Sequence, residues 1–476
     1  MPREAGREFT LDSGPLGRNT RADHTAQAFR DTDVSPPSDA AAPADLVTPT
    51  FEAPERPWEF SQRYAYLALA VLLGVGTFNI IDRTVVNLLL VPIGHDLKLS
   101  DTMLGLFSGT AFGIFYALAQ IPIARIADRR PRAQIISLAL TFWSAMTLLQ
   151  SSAVGFVTLA LTRAGVAIGE AGSGPASMSM VADLFPVQRR TRAFAILAAQ
   201  APFGVAIGAL VAGWTRQYFG WRGALMFVGV PGLLLAVAVW RTLREPTRGY
   251  WQTGPTESPA SLAETVRFLL GLPAFRNTLI GYTIAVTVAG AQSFDPVYLE
   301  RVWQFEPKQV GTLIGAAGLL SIAGYYLGAW ICDRMIVRDA AWALRLPPIF
   351  ILFHLALATT YYLAPNRAIV MTLLLSAPFF PAILPIVLAT VQTLSPATMR
   401  ARATALVLTT STLVGIGCGA PLAGALSDAL APKYGVQSIR YALLTIVVTG
   451  LTWTMVHFWL GSRTLVRDLA TRDARG

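Results

Sequence analysis

The stretch "VADLFPVQRRTRAFA" at residues 181–195 recurs in looser form as "VQTLSPATMRARATA" at residues 391–405. Val181 falls on Val391, Leu184 on Leu394, Pro186 on Pro396, Arg190 on Arg400, Arg192 on Arg402 and Ala193 on Ala403. Other pairs follow at nearly the same separation: Asp128-Arg129 with Asp333-Arg334, and Gly105 and Gly109 with Gly311 and Gly315. Each copy joins the end of one long apolar segment to the start of the next. The repeated unit is therefore an array of apolar helices used twice.

Outward from this repeat, the composition points the same way. The 476 residues are 53% hydrophobic and only 14% charged, against about 25% charged residues in a typical soluble domain. Apolar segments of about 20 residues, long enough to cross about 30 Å of hydrocarbon, recur from residue 64 to residue 463. Gly and Pro run freely through them, whereas barrel strands would alternate apolar and polar positions. The expected fold is an all-α membrane protein of about twelve transmembrane helices, arranged as two pseudo-symmetric six-helix bundles. Residues 63–241 are expected to form the first bundle and 276–463 the second. Residues 242–275 link them, and "SLAETVRFLLGL" (261–272) in this linker has a capping-box start and one apolar face, as an interfacial helix would. Residues 1–62 are rich in Pro, Ala and Asp and read as a disordered tail without a signal-peptide core; 464–476 read as a second tail.

The net charge of +10 is distributed as topology demands. Most Lys and Arg fall in the connections after even-numbered segments, including "RIADRRPR" (125–132), "RRTR" (189–192) and "RAR" (400–402). This is the positive-inside bias, so both termini are expected in the cytoplasm of a cell with a bacterial-type inner membrane, and no nucleic-acid partner is implied. Cys332 and Cys418 form no disulfide framework, and His24, His95, His354 and His457 are scattered. No metal and no cofactor is expected, and a monomer is.

"FNIIDRTVVNLLL" (78–90) sets Asp82 and Arg83 side by side in an apolar run. A charge facing lipid costs at least about 2.5–3.5 kcal/mol on insertion scales, so both belong in the bundle interior. Adjacent helical residues point about 100° apart, and each needs a partner on another helix. "RAGVAIGE" (163–170) supplies Arg163 and Glu170 on one helical face. Two acids and two bases thus meet in the first half, either as a switchable network or as a permanent structural quartet. Asp128, Arg129, Arg132, Asp183, Arg190 and Arg192, with Asp333, Arg334, Arg400 and Arg402 in the second copy, sit at helix ends, where salt bridges would latch the cytoplasmic side or simply fix topology. Asn79, Tyr116, Gln120, Gln292, Asp295, Tyr298 and Gln392 are polar positions in or near spans that either line a substrate cavity or satisfy a neighbouring helix. Glycines four apart, at Gly105, Gly109 and Gly113, Gly204 and Gly208, and Gly415 and Gly419, permit close helix approach.

"ARIADRRPRAQ" (124–134) resembles the loop motif of the major facilitator superfamily between its second and third helices, with Asp128, Arg129 and Arg132 in place and Ala124 and Pro131 where glycines are usual. A weaker copy stands at "AWICDRMIVR" (329–338). Within the superfamily, "NIIDRTVVNLLLVPIGHDLKLSDTMLGL" (79–106), "RAGVAIGEAGSGPASMSMVADLFPVQRRTRA" (163–193) and "FGWRGALMFVGVPGLLLA" (219–236) resemble the Spinster-like family. The resemblance implies a secondary transporter working by alternating access. It further implies proton coupling through the network that Asp82, Arg83, Arg163 and Glu170 match, and an amphiphilic anionic substrate such as a lysophospholipid or sphingoid phosphate. The expected partners are the bilayer, that substrate and protons. A small organic-anion symporter or drug exporter of another branch is the alternative, and a non-transporting membrane receptor a remote one. No G-x-S-x-G, H-E-x-x-H or phosphate-binding Gly-rich loop is present, so an enzyme is not expected.

Overall fold

In a computed structural model the described residues are 57–251, 261–376 and 383–475. The N-terminal segment read as a tail lies, up to residue 56, outside them. The first three spans are Gln62–Leu97, Asp101–Arg129 and Arg132–Gln150. The fourth is made of Phe156–Glu170 and Ser173–Leu184. Val187–Thr242 holds the fifth and sixth, and the seventh, eighth and ninth are Pro273–Trp303, Pro307–Ile336 and Trp342–Tyr362. The tenth consists of Arg367–Ser376 and Ile383–Leu394. The eleventh covers 397–434 and the twelfth is Ser438–Arg475, so residues 464–475 continue a helix.

Local chemistry sets the ends and breaks of these helices. Ser61 Oγ accepts the Tyr64 amide at 3.3 Å at the start of the first span, and Lys98 closes it in a left-handed conformation at φ 52°. The fifth and sixth spans are parted at Gly220, whose φ of 66° only glycine adopts without strain. Gly435 (φ 54°) turns the chain at the corresponding place between the eleventh and twelfth. The second and eleventh spans each contain a π-helical stretch, Leu106–Thr110 and Ser411–Ile416, a form concentrated at functional sites. In the linker, Ser261 Oγ accepts the Glu264 amide at 3.1 Å. The helix Leu262–Leu270 that it starts meets the seventh span at 97°.

The outer surface carries large apolar side chains in the open, such as Leu118, Leu138, Leu161, Leu234 and Trp240, as a helix bundle wrapped in hydrocarbon requires. Inside, the buried core divides unevenly. One continuous cluster joins Val85, Leu89, Leu104 and Phe107 of the first half with Phe294, Val310, Ala420 and Ile439 of the second. A second, built on Leu69, Leu72, Ile136, Met180 and Val239, stays in the first half. A small third, on Cys332, Leu346, Phe350 and Ile386, stays in the second. The halves are fused toward the end that carries Lys98 and packed separately toward the end that carries Arg130.

Close backbone approach makes that fusion possible. A Cβ on Gly105 would meet Ala420 O at 2.5 Å and Pro421 Cα at 2.7 Å, and one on Gly113 would meet Gly417 Cα at 2.9 Å. The fifth and eighth spans cross in the same way, Gly213 against Gly311. Gly204 and Gly208 pack instead on Ile80 and Ile81 of their own half, and Gly415 and Gly419 on Val286 and Thr287 of theirs.

Candidate functional site

The two charges of "FNIIDRTVVNLLL" pair with the fourth span and not with each other. Arg163 Nη1 donates to Asp82 Oδ2 at 3.0 Å, and Arg83 Nε donates to Glu170 Oε2 at 2.8 Å. Asp82 and Arg163 are each 2% exposed and Glu170 is fully buried, whereas the Arg83 side chain keeps 25% of its surface open. Thr147 on the third span donates to Asp82 Oδ1 at 2.5 Å. The fourth span breaks directly after Glu170, at Ala171-Gly172, and Ser173 Oγ bonds the Glu170 carbonyl at 3.0 Å. Gly169 holds this turn against the third span, because a Cβ there would meet Trp143 N at 2.9 Å.

The ring of Phe112 lies between the two bases, with Arg83 Cζ 4.5 Å and Arg163 Cζ 4.7 Å from its centroid. Tyr116 stacks on Phe112 and takes Arg83 at 5.0 Å. Each such contact contributes about 0.5–2 kcal/mol, more when desolvated. The pairs are not saturated. Glu170 Oε1 and Arg163 Nε have no hydrogen-bond partner among the described residues.

A cavity of about 230 Å³ lies between the halves at this level. From the first half it is lined by Arg83, Asn87, Ser108, Phe112 and Arg163, and from the second by Val286, Gly290, Ser293 and Ile416 among others. The hydroxyls of Ser108 and Ser293 are buried without hydrogen-bond partners among the described residues. The lining thus presents guanidinium groups, while Asp82 and Glu170 stand behind them. An anion entering this space meets the bases first and competes with the carboxylates for them.

The other polar candidates separate. Tyr116 belongs to the arginine cluster, and Gln120 accepts from Thr409 Oγ1 at 3.4 Å across the halves. Asn79 is 9% exposed on the face of Asp82. Gln292 and Asp295 line a different cavity inside the second half. Of the two roles open to Tyr298, it takes that of satisfying a neighbouring helix: it is fully buried in the core, its hydroxyl donating to Tyr361 O on the ninth span at 3.0 Å. Gln392 is exposed and lines none of these cavities.

The charged residues expected at helix ends stay within their own halves here. Arg132 bonds Asp183 at 2.5 Å and Glu245 at 2.7 Å, and Gly249 N donates to Asp183 Oδ1 at 3.0 Å. Arg190 donates to Ala182 O at 2.7 Å and Arg400 to Ser395 O at 3.4 Å. Arg334 covers the Trp330 ring at 4.4 Å. Asp128, Arg129, Arg192 and Asp333 are exposed, and Arg402 is half-buried.

The charged ties between halves among the described residues lie at the Lys98 end, on residues the sequence reading missed. Arg216 on the fifth span forms a two-point pair with Glu300 on the seventh at 2.6 and 2.8 Å. Arg301 reaches Asp101 at 2.7 Å, and Ser427 Oγ donates to the same carboxylate at 2.7 Å. Asp428 accepts from Thr102 N at 2.8 Å and Thr102 Oγ1 at 2.6 Å. The available signal was an acid or base near a span end on the less basic side, as in "WTRQYFGW" and "VYLERVW".

Comparison with known proteins agrees with this architecture. The sequence profile of the Major Facilitator Superfamily matches residues 72–417. An "MFS-type efflux pump" of Mycolicibacterium smegmatis is 33% identical over 414 residues, 86% of this chain and 95% of that one. Protein spinster homolog 1 of Xenopus tropicalis is 27% identical, covering 82% of this chain and 79% of that one. A crystal structure of a bacterial homologue of the human lysosomal transporter Spinster, inward-facing and unoccupied, superposes with a TM-score of 0.77 at 26% identity, covering 86% of this chain and 99% of that one. The chain belongs to the major facilitator superfamily; it is a multi-pass membrane transporter with Spinster-like relatives, and not an enzyme.

Proposed function

We propose that the protein is a proton-coupled secondary transporter that moves an amphiphilic anionic organic molecule by alternating access. One observation carries the reading: Arg83 and Arg163 line a cavity between the two halves while their paired carboxylates, Glu170 and Asp82, are buried behind them. An isolated carboxylate titrates near pH 4; burial raises that value and a neighbouring guanidinium lowers it. When an anionic head group takes an arginine, the carboxylate left behind is a buried charge without a partner, and it takes a proton. The two acids act jointly, since Arg163 interacts with both of them.

With the Arg130 end cytoplasmic, following the charge bias, the fused Lys98 end supports an inward-facing conformation. The likeness to an inward-facing Spinster homologue supports that assignment. Both termini are then cytoplasmic, and the membrane is a bacterial-type inner membrane. The helix-end charges Asp128, Arg129, Arg192, Asp333, Arg334 and Arg402 become closing contacts of the opposite state. The protein works as a monomer, each chain holding its own cavity. The relative named as an efflux pump favours an exporter among the alternatives.

The test is a thermal-shift panel on purified protein with lysophospholipids, fatty acids, aromatic acids and cationic drugs, since a ligand of the folded state raises Tm with concentration. Anionic amphiphiles are expected to stabilise the wild type and to lose that effect in Arg83→Gln. Stabilisation that persists unchanged in Arg83→Gln and Arg163→Gln removes the arginines from the binding site.

A further inference from the structure

Asp295 stands apart from the arginine-lined cavity. It lines a space of about 220 Å³ among the seventh, eighth, ninth and tenth spans, room for about seven waters at ~30 Å³ each. The walls are Ala317, Leu320, Leu357, Ala358 and the leucines 373–375, interrupted by the polar groups Gln292, Asp295, His354 and Tyr361. Among the described residues no Lys or Arg lines it. Tyr362 donates to Asp295 Oδ1 at 2.7 Å, which leaves Oδ2 for another donor. Tyr361 is 6% exposed, and its hydroxyl, though buried at the cavity, has no hydrogen-bond partner among the described residues.

We propose that this cavity is a second binding site, one that takes the protonated primary amine of an amphiphile. A carboxylate enclosed in a membrane bundle is neutralised by a proton or a cation, and here no Lys or Arg among the described residues shares its cavity, where the base present is the imidazole of His354. An alkylammonium brings three N–H donors. Asp295 Oδ2, the Gln292 amide oxygen and the Tyr361 hydroxyl are the acceptors that meet them, and the leucines receive the carbon chain. The acceptors are held in place beforehand. The rings of Tyr298, Tyr361 and Tyr362 pack edge to face at 4.9–5.3 Å. The Tyr298 hydroxyl is fixed between Trp303 Nε1 at 2.8 Å and Tyr361 O at 3.0 Å. The charge preference is the reverse of that of the central cavity: an anion is drawn to Arg83 and Arg163 and repelled by Asp295.

The test is isothermal titration of the full-length protein with hexylamine, set against hexanol, hexanoate and hexyltrimethylammonium, which lacks N–H donors. Hexylamine is expected to bind saturably and more tightly than all three. Asp295→Asn is expected to weaken it at least about tenfold, the loss of one hydrogen bond to a charged group. Leu320→Trp, which fills the cavity from its wall, is expected to do the same without touching the acid. Thermal unfolding of each variant establishes that it is folded, and where Asp295→Asn does not fold, Leu320→Trp and Gln292→Leu decide. No saturable hexylamine binding, equal affinity for hexanol, or unchanged affinity in the folded variants overturns the proposal.

Discussion

Glu300→Gln breaks the two-point pair that ties the fifth span to the seventh. The pair is well shielded, with side-chain exposures of 11% for Arg216 and 8% for Glu300. Removing one partner of a buried pair costs about 3–5 kcal/mol. Glutamine keeps one neutral acceptor and Arg216 keeps its bond to Leu88 O at 2.8 Å, so the low end, about 3 kcal/mol, applies. That loss falls on the conformation closed at the Lys98 end, because opening that end exposes both charges to water. At about 1.4 kcal/mol per tenfold, the equilibrium moves about a hundredfold toward the open form. A minor state of about one part in a hundred thus rises to near parity. Spin labels at the exposed positions Lys98 and Val436, one in each half, read this as growth of a longer-distance population in pulsed dipolar spectroscopy. A distribution identical to that of the parent labelled protein would show that the Arg216–Glu300 pair does not hold the halves together.

Other consequences follow from the same packing. Gly311→Leu places a side chain where even a Cβ would meet Ala209 O at 2.4 Å, so it is expected to lengthen the same label distance, whereas Gly74→Ala, with nothing within 4 Å, leaves it unchanged. Arg132→Leu strands Asp183 and Glu245 within one half and is expected to cost about 3 kcal/mol, read as a lowered Tm with no change in that distance. Impermeant thiol labelling of single cysteines in intact cells is expected at position 98 and not at position 130, the opposite pattern reversing the topology.

Much of this architecture is legible in the sequence because it rests on local rules. Apolar length gives the spans, the recurrence of "VADLFPVQRRTRAFA" gives the two halves, and the cost of a charge in lipid sends Asp82, Arg83, Arg163 and Glu170 inward. Helix geometry even requires that Asp82 and Arg83 find separate partners. Which acid meets which base is a property of how the first and fourth spans are rotated about each other, and no spacing records that. Phe112 and Thr147 were invisible for the same reason: an aromatic and a threonine in a span are ordinary until a neighbouring helix sets a guanidinium or a carboxylate against them. The Arg216–Glu300 and Arg301–Asp101 pairs join distant spans through a conformation, and Asp295 is separated from the central cavity by the packing of the second half alone. Tyr298 stayed open between cavity wall and helix contact because a tyrosine near a span end reads equally as either.

The coupling claim is tested most directly by accumulation of an anionic amphiphile in proteoliposomes under an imposed pH gradient, with wild type beside Asp82→Asn, Glu170→Gln and the double variant. Both single variants are expected to lose gradient-driven accumulation while retaining downhill exchange, since the arginines that receive the anion remain. A double variant that still concentrates the substrate in response to the pH gradient would make Asp82 and Glu170 structural partners of their arginines and contradict the proposed exchange of anion for proton.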